Sequence, residues 1–185
     1  MFLIGGIASF PGGAPVTLRS VVSATIDANG SVGTFTAAGD LPEARGWLAA
    51  ANWGDQVYVA GGILDFGTGA LSNSVLAADA TGAILAFRKV ATLSPRMRLG
   101  LIATQGQLVA AGGLTGSTIA RDVSSATIAA DGSLGGWDSR ADLPEGRYAF
   151  GMTPLGDSVV ISGGFYQVGA FDTRDGTWAA NTSPP

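Results

Sequence analysis

A glycine pair closing a short apolar run recurs along this chain, at Gly5-Gly6, Gly61-Gly62, Gly112-Gly113 and Gly163-Gly164. The last three pairs start 51 residues apart, and the first interval is 56, longer by an insertion of five. Glycine is required where backbones crowd or where φ turns positive, so a pair in fixed register marks one structural unit used four times. Other landmarks keep the same step. Arg45, Arg96 and Arg147 each lie 16 residues before a glycine pair. Leu41-Pro42-Glu43-Ala44-Arg45 is echoed by Leu143-Pro144-Glu145-Gly146-Arg147 and, one residue shorter, by Leu93-Ser94-Pro95-Arg96. Asn29-Gly30 and Asp131-Gly132 stand two periods apart, and an aromatic follows at Phe35, Phe87, Trp137 and Trp178.

Periods of this length belong to stacked repeat architectures. Twenty-nine glycines among 185 residues, set between β-branched and aromatic runs, predict many strands joined by tight turns. The chain is long enough for a sizeable core, and 46% hydrophobic against 13% charged residues excludes a disordered polar chain. The Asn-Gly and Asp-Gly pairs predict two-residue hairpins with both residues at positive φ.

The missing residue types exclude much chemistry. With no cysteine there is no disulfide, thiolate nucleophile or cysteine metal site; with no histidine there is no Ser-His-Asp triad and no His-ligated metal centre. No cofactor is expected. A net charge of −4 and a single lysine, Lys89, argue against nucleic acid as partner. No apolar stretch approaches the roughly 20 residues of a spanning helix, so membrane insertion is not expected. Met1-Phe2-Leu3-Ile4 lacks the basic flank of a signal peptide and reads as a strand.

An apolar strand ending in Gly-Gly, the motif Ser125-Ala-Thr-Ile-Ala-Ala-Asp-Gly-Ser-Leu-Gly-Gly-Trp137 and the Leu-Pro-x-x-Arg corner together resemble bacterial kelch-type repeats. The resemblance implies an all-β fold, a β-propeller of four-stranded antiparallel blades with strands a to d. Repeats run over about 1–44, 45–95, 96–146 and 147–185. The first begins at strand b, so the expectation is about four blades and roughly 15 strands of a partial ring, completed by further blades or by a second copy.

In such a blade the b–c and d–a loops share one face, and the b–c loops vary most in length, so function is expected there. The candidate binding residues are Arg45, Arg96 and Arg147 at the d–a corners, with Phe10, Asp65, Phe66, Tyr166 and Gln167 just after the glycine pairs. The arginines either line a channel mouth and hold an anion or bond within their own blade, the second reading being favoured by their strict repetition. Arg19 and Arg121 are read as solvated or packed over a neighbouring blade. Trp137 and Trp178 are read as packing residues, and Trp47 and Trp53 stand out because their repeat counterparts are not aromatic. The expected function is a non-catalytic scaffold presenting this face to a protein or glycan, with a carbohydrate-modifying enzyme of the sialic-acid mutarotase kind as the alternative. An extracellular or cell-surface location fits similar repeats.

Overall fold

The computed structural model describes residues 1–9, 11–156, 158–166 and 177–181, the last span as backbone alone. The first blade holds β1 (Phe2–Ala8), β2 (Val16–Ser23) and β3 (Thr36–Asp40), paired antiparallel in chain order. The second holds β4 (Ala49–Trp53) and β5 (Gln56–Ala60), a small hairpin of β6 (Ile63–Asp65) and β7 (Ala70–Leu71), then β8 (Ser74–Asp79), β9 (Leu85–Ala86) and β10 (Arg88–Thr92). Its sheet runs β4-β5-β8-β10, while β9 crosses to the first blade and lies parallel to β3 through Gly39 and Leu85. The third blade repeats the plan with β11 (Gly100–Thr104), β12 (Gln107–Ala111), the hairpin β13 (Leu114–Thr115) and β14 (Thr118–Ile119), β15 (Val123–Ile128) and β16 (Leu134–Arg140). The fourth shows β17 (Gly151–Leu155), β18 (Ser158–Ser162) and β19 (Thr177–Asn181).

The core lies between blades. Successive side chains of a strand point to opposite faces. On β5, Val57 and Val59 pack against the first blade with Val21 and Leu85, while Tyr58 and Ala60 pack against the third with Leu101 and Leu108. On β12 the same alternation sends Leu108 and Ala110 to the second blade, and Val109 and Ala111 to the fourth with Val159 and Ile161. A strand buried on both faces needs a continuous apolar run, which explains Val-Tyr-Val-Ala and Leu-Val-Ala-Ala. The inner strands β4, β11 and β17 lie side by side, so blades fan outward from them.

Two local expectations are corrected. The c–d turns of the first and third blades are three-residue loops: in the first, the Gly30 N–H donates to the Asp27 carbonyl, the Asp27 N–H donates to the Ser31 carbonyl, and only the glycine takes positive φ (82°). This is a type I turn followed by a left-handed glycine, held by Asp27 Oδ1 accepting the N–H groups of Asn29 and Ser31. The third blade repeats the backbone pattern over Ala129–Ser133, but there the cap is Asp131, at the place of Asn29, whose Oδ1 accepts from the N–H and hydroxyl of Ser133. In the fourth blade, Trp178 sits on β19, which pairs directly with β18 opposite Ile161. It is therefore on the third strand, whereas Trp137 is on the fourth. Trp178 follows its corner arginine by 31 residues against 41 for Trp137.

The corner arginines join the blades. Nη1 of Arg45, Arg96 and Arg147 donates to the carbonyls of Gly61, Gly112 and Gly163 at 3.2, 2.9 and 2.8 Å. Their own backbone carbonyls accept the N–H groups of Gly6, Gly62 and Gly113 from the preceding blade at 3.0, 2.8 and 2.8 Å. One residue thus ties its own second strand to the blade before it.

Candidate functional site

Two residues beyond each corner arginine stand Trp47, Arg98 and Ala149. All three are left-handed, with φ of 49°, 55° and 55°, a conformation that costs non-glycine residues energy and persists where surroundings impose it. What imposes it here is a blade-to-blade chain: the Arg98 N–H donates to the Trp47 carbonyl and the Ala149 N–H to the Arg98 carbonyl, both at 2.8 Å. The three residues therefore line up at the inner end of the b–c and d–a face, at the start of strands β4, β11 and β17.

Their side chains continue the line. The Arg98 guanidinium carbon lies 3.8 Å from the Trp47 ring centre and 5.8 Å from that of Tyr148. Phe66, on the turn between β6 and β7, meets Trp47 edge-on at 5.1 Å. Phe165 stacks on Tyr148 at 5.4 Å. The result is a row, Phe66–Trp47–Arg98–Tyr148–Phe165, carried by three blades. A cation held flat on an indole is attracted by the ring quadrupole. The Arg98 guanidinium is half-buried and has no carboxylate partner among the described residues.

Of the residues singled out from the sequence, Phe66 joins this row and Tyr166 lies half-buried next to Phe165 in the chain. Asp65 is exposed at the foot of β6 and caps its own turn, its Oδ1 accepting from the N–H and hydroxyl of Thr68 at 2.7 and 3.0 Å. Those bonds hold its carboxyl below the usual carboxylate range. Phe10 and Gln167 lie outside the described residues. The three corner arginines are buried, with 0 to 3% exposure, and bond within their own blades beneath the row. Arg45 also donates to Ser74 Oγ at 2.9 Å and approaches Glu43 at 3.4 Å; burial lowers its pKa, which the Glu43 charge opposes. Arg96 instead grips Asp122 with both Nη atoms, at 3.1 and 2.9 Å. Arg19 and Arg121 form matching exposed pairs with Asp40 and Asp142 at 3.4 and 3.2 Å. Trp137 packs into the core between the second and third blades, and Trp53 lies at the far end of β4 from Trp47, 39% exposed.

Arg98 and Tyr148 were not among the candidates. Their signal was present in the repeat: Arg98 replaces Trp47 one period on, and Tyr148 stands where Gly46 and Met97 stand in the earlier blades. Only the stacking of blades shows that these departures meet.

No protein-family model matches the chain, and no curated protein matches it. Among solved structures, that of YjhT shares the architecture with a TM-score of 0.68 and 20% identity, covering 89% of this chain and 53% of that one. The fold is that of a β-propeller. The chain spans about half the length of YjhT, and at this identity the likeness concerns the fold alone. Three sheets fanning from the adjoining inner strands β4, β11 and β17, with the first blade packed beside them, are what a propeller segment requires.

Proposed function

We propose that this chain is a non-catalytic binding module whose b–c and d–a face holds a protein or glycan partner, with the Trp47–Arg98–Tyr148 row at its centre. The observation that supports this most is Arg98: a half-buried guanidinium, fixed over an indole 3.8 Å away and without an ion pair among the described residues. A guanidinium whose direction is fixed before binding loses little freedom when it meets a carboxylate or another anionic group; the half-buried Trp47 and Phe66 rings offer apolar surface beside it, while Tyr148 is buried and supports the guanidinium from within. The absence of histidine and cysteine from the sequence favours binding over nucleophilic or acid–base chemistry. The partner's chemistry on this reading is a carboxylate-bearing peptide or glycan.

The test is capture on an array of acidic and neutral peptides and glycans, repeated with Arg98→Ala. The expected result is retention of acidic probes that weakens with salt and falls at least tenfold in the variant. Unchanged capture by the variant, or no capture at all, overturns the reading. Chemical conversion of a bound glycan, followed by NMR, would replace the scaffold with a carbohydrate-modifying enzyme. The reading includes a completed ring. Among the described residues β1 lies at the edge of its sheet, whereas its counterparts β5 and β12 are flanked on both sides. Further blades or a second copy would supply the neighbouring strand, and a solution mass of one or two chains separates the two sources.

A further inference from the structure

Three departures from the repeat meet at one place on this face, the outer corner between the second and third blades. The first is the loss of an ion pair. The Arg19, Asn73 and Arg121 carbonyls accept the N–H groups of Leu41, Leu93 and Leu143 at 2.8 Å, so the three residues are structurally equivalent. So are Asp40, Thr92 and Asp142, each just before its leucine. Blades one and three thus carry Arg19–Asp40 and Arg121–Asp142 across this corner, and blade two has the short Asn73 and Thr92 instead. The second departure is the corner loop, which is one residue shorter at Leu93-Ser94-Pro95-Arg96. The third is the partner of the corner arginine: Ser74 for Arg45 becomes Asp122 for Arg96.

An open depression of about 440 Å³ lies here, lined by Asn73, Thr92, Ser94, Arg96, Asp122 and Trp137 among others. Arg96 is 4% exposed at its side chain and neutralises Asp122, whose carboxylate is 47% exposed. The Trp137 Nε1–H is buried without a hydrogen-bond partner among the described residues and lies out of reach of the depression, so the indole contributes only its half-buried ring to the wall. The wall therefore offers a carboxylate acceptor, an amide, the hydroxyls of Thr92, Ser94 and Ser124, an indole and no net charge. The volume lies within the range of small-molecule sites, about 300–1,000 Å³.

We propose that this corner is a second binding site, for a neutral polyhydroxylated ligand of one or two sugar rings. It deepens the reading of this face as a binding surface, but it is built from different residues than the Arg98 row. The pair Arg96–Asp122 favours an uncharged ligand because a net charge would have no counter-charge in the wall. Vicinal hydroxyls would bond the outer lone pairs of Asp122 and the amide of Asn73, with a ring face against the indole. Repeat logic supports the assignment: residues serving the blade recur, and here all three that do not recur border one depression.

The experiment is saturation-transfer NMR on the whole chain with a panel of neutral mono- and disaccharides and two acidic ones. Two variants accompany the wild type. Asn73→Arg with Thr92→Asp restores the ion pair that blades one and three use, filling the corner with residues the repeat already accommodates. Asp122→Ser installs the arginine partner found in blade two. The expected result is saturation transfer to at least one neutral sugar in the wild type, reduced at least tenfold in both variants and unchanged in Arg98→Ala. Three results would overturn the site: no neutral sugar binding, preference for the acidic sugars, or undiminished binding in either folded variant. Loss in Arg98→Ala with retention in both corner variants would sink the corner site while keeping the row.

Discussion

Gly61 faces the backbone carbonyl of Arg96 so closely that a Cβ on it would lie 2.4 Å from that oxygen. Gly5 and Gly112 meet the carbonyls of Arg45 and Arg147 in the same way, at 2.7 and 2.5 Å. The first glycine of these three pairs is therefore demanded by the next blade as much as by its own φ. Gly54, in the turn between β4 and β5, shares the positive φ (54°) but would meet nothing within 4 Å among the described residues.

The contrast predicts two different costs. Gly61→Ala combines left-handed strain with a backbone clash, and a loss of more than about 3 kcal/mol is expected. Gly54→Ala bears the conformational strain alone, about 1 kcal/mol. Urea denaturation of both variants measures the difference; equal losses would show that φ, and not blade contact, sets the requirement.

Arg45 is wholly buried and bonds Gly61 and Ser74. Arg45→Ala strips these groups of their donor and leaves a void, for an expected loss of about 3–5 kcal/mol. Arg19 is more than half exposed at 3.4 Å from Asp40, so Arg19→Ala should cost below about 0.5 kcal/mol. Denaturation midpoints with unchanged slope would read this order; its inversion would remove the arginine from the role of blade fastener.

Ala149 holds φ 55° on an exposed side chain. Glycine there relieves left-handed strain while adding freedom to the unfolded chain, and the net expectation for Ala149→Gly is a gain of about 0.5–1 kcal/mol. A lowered melting temperature would show that the methyl makes a contact outweighing the strain.

Acid should destabilise the chain through its turn aspartates. Asp79 and Asp131, like Asp65, accept bonds from a neighbouring side-chain hydroxyl and backbone N–H that hold their carboxyls below the ordinary value of 3.8. A depressed folded value means that the unfolded chain takes up protons first. The stabilisation is complete above the unfolded value and is lost as pH falls below about 4 toward the folded one. Melting temperature should therefore drop on acidification below pH 4 and change little between pH 6 and 8, where no histidine titrates. In Asp131→Asn the acid drop should be shallower; an unchanged profile would show that this turn contributes nothing to it.

Much of this fold was legible because a blade is written in residues that recur for local reasons. The glycine pairs, the corner arginines and the two-sided apolar strands each answer a demand that every blade makes, so spacing alone located them. The spacing of 16 residues from Arg45 to Gly61 is the reach of the hydrogen bond between them. The failures lay where a residue's neighbours come from another blade or where a segment breaks the period. Order in the chain aligns Trp178 with Trp137, whereas strand pairing places it on β19, next to β18. The asparagine and aspartate of the c–d loops were read as positive-φ residues, but Asp27 and Asp131 shape those loops from within.

What the sequence by itself determined is the unit: its strands, its register, its two apolar faces and the arginine that closes it, because these follow from periodicity and short-range geometry. What only the tertiary structure decided is the surface. Trp47, Arg98 and Tyr148 are separated by about one period each, and Asn73 lies far from Trp137 in the chain. They become neighbours because blades stack around inner strands β4, β11 and β17, and contacts made by that stacking leave no local signature in the order of residues.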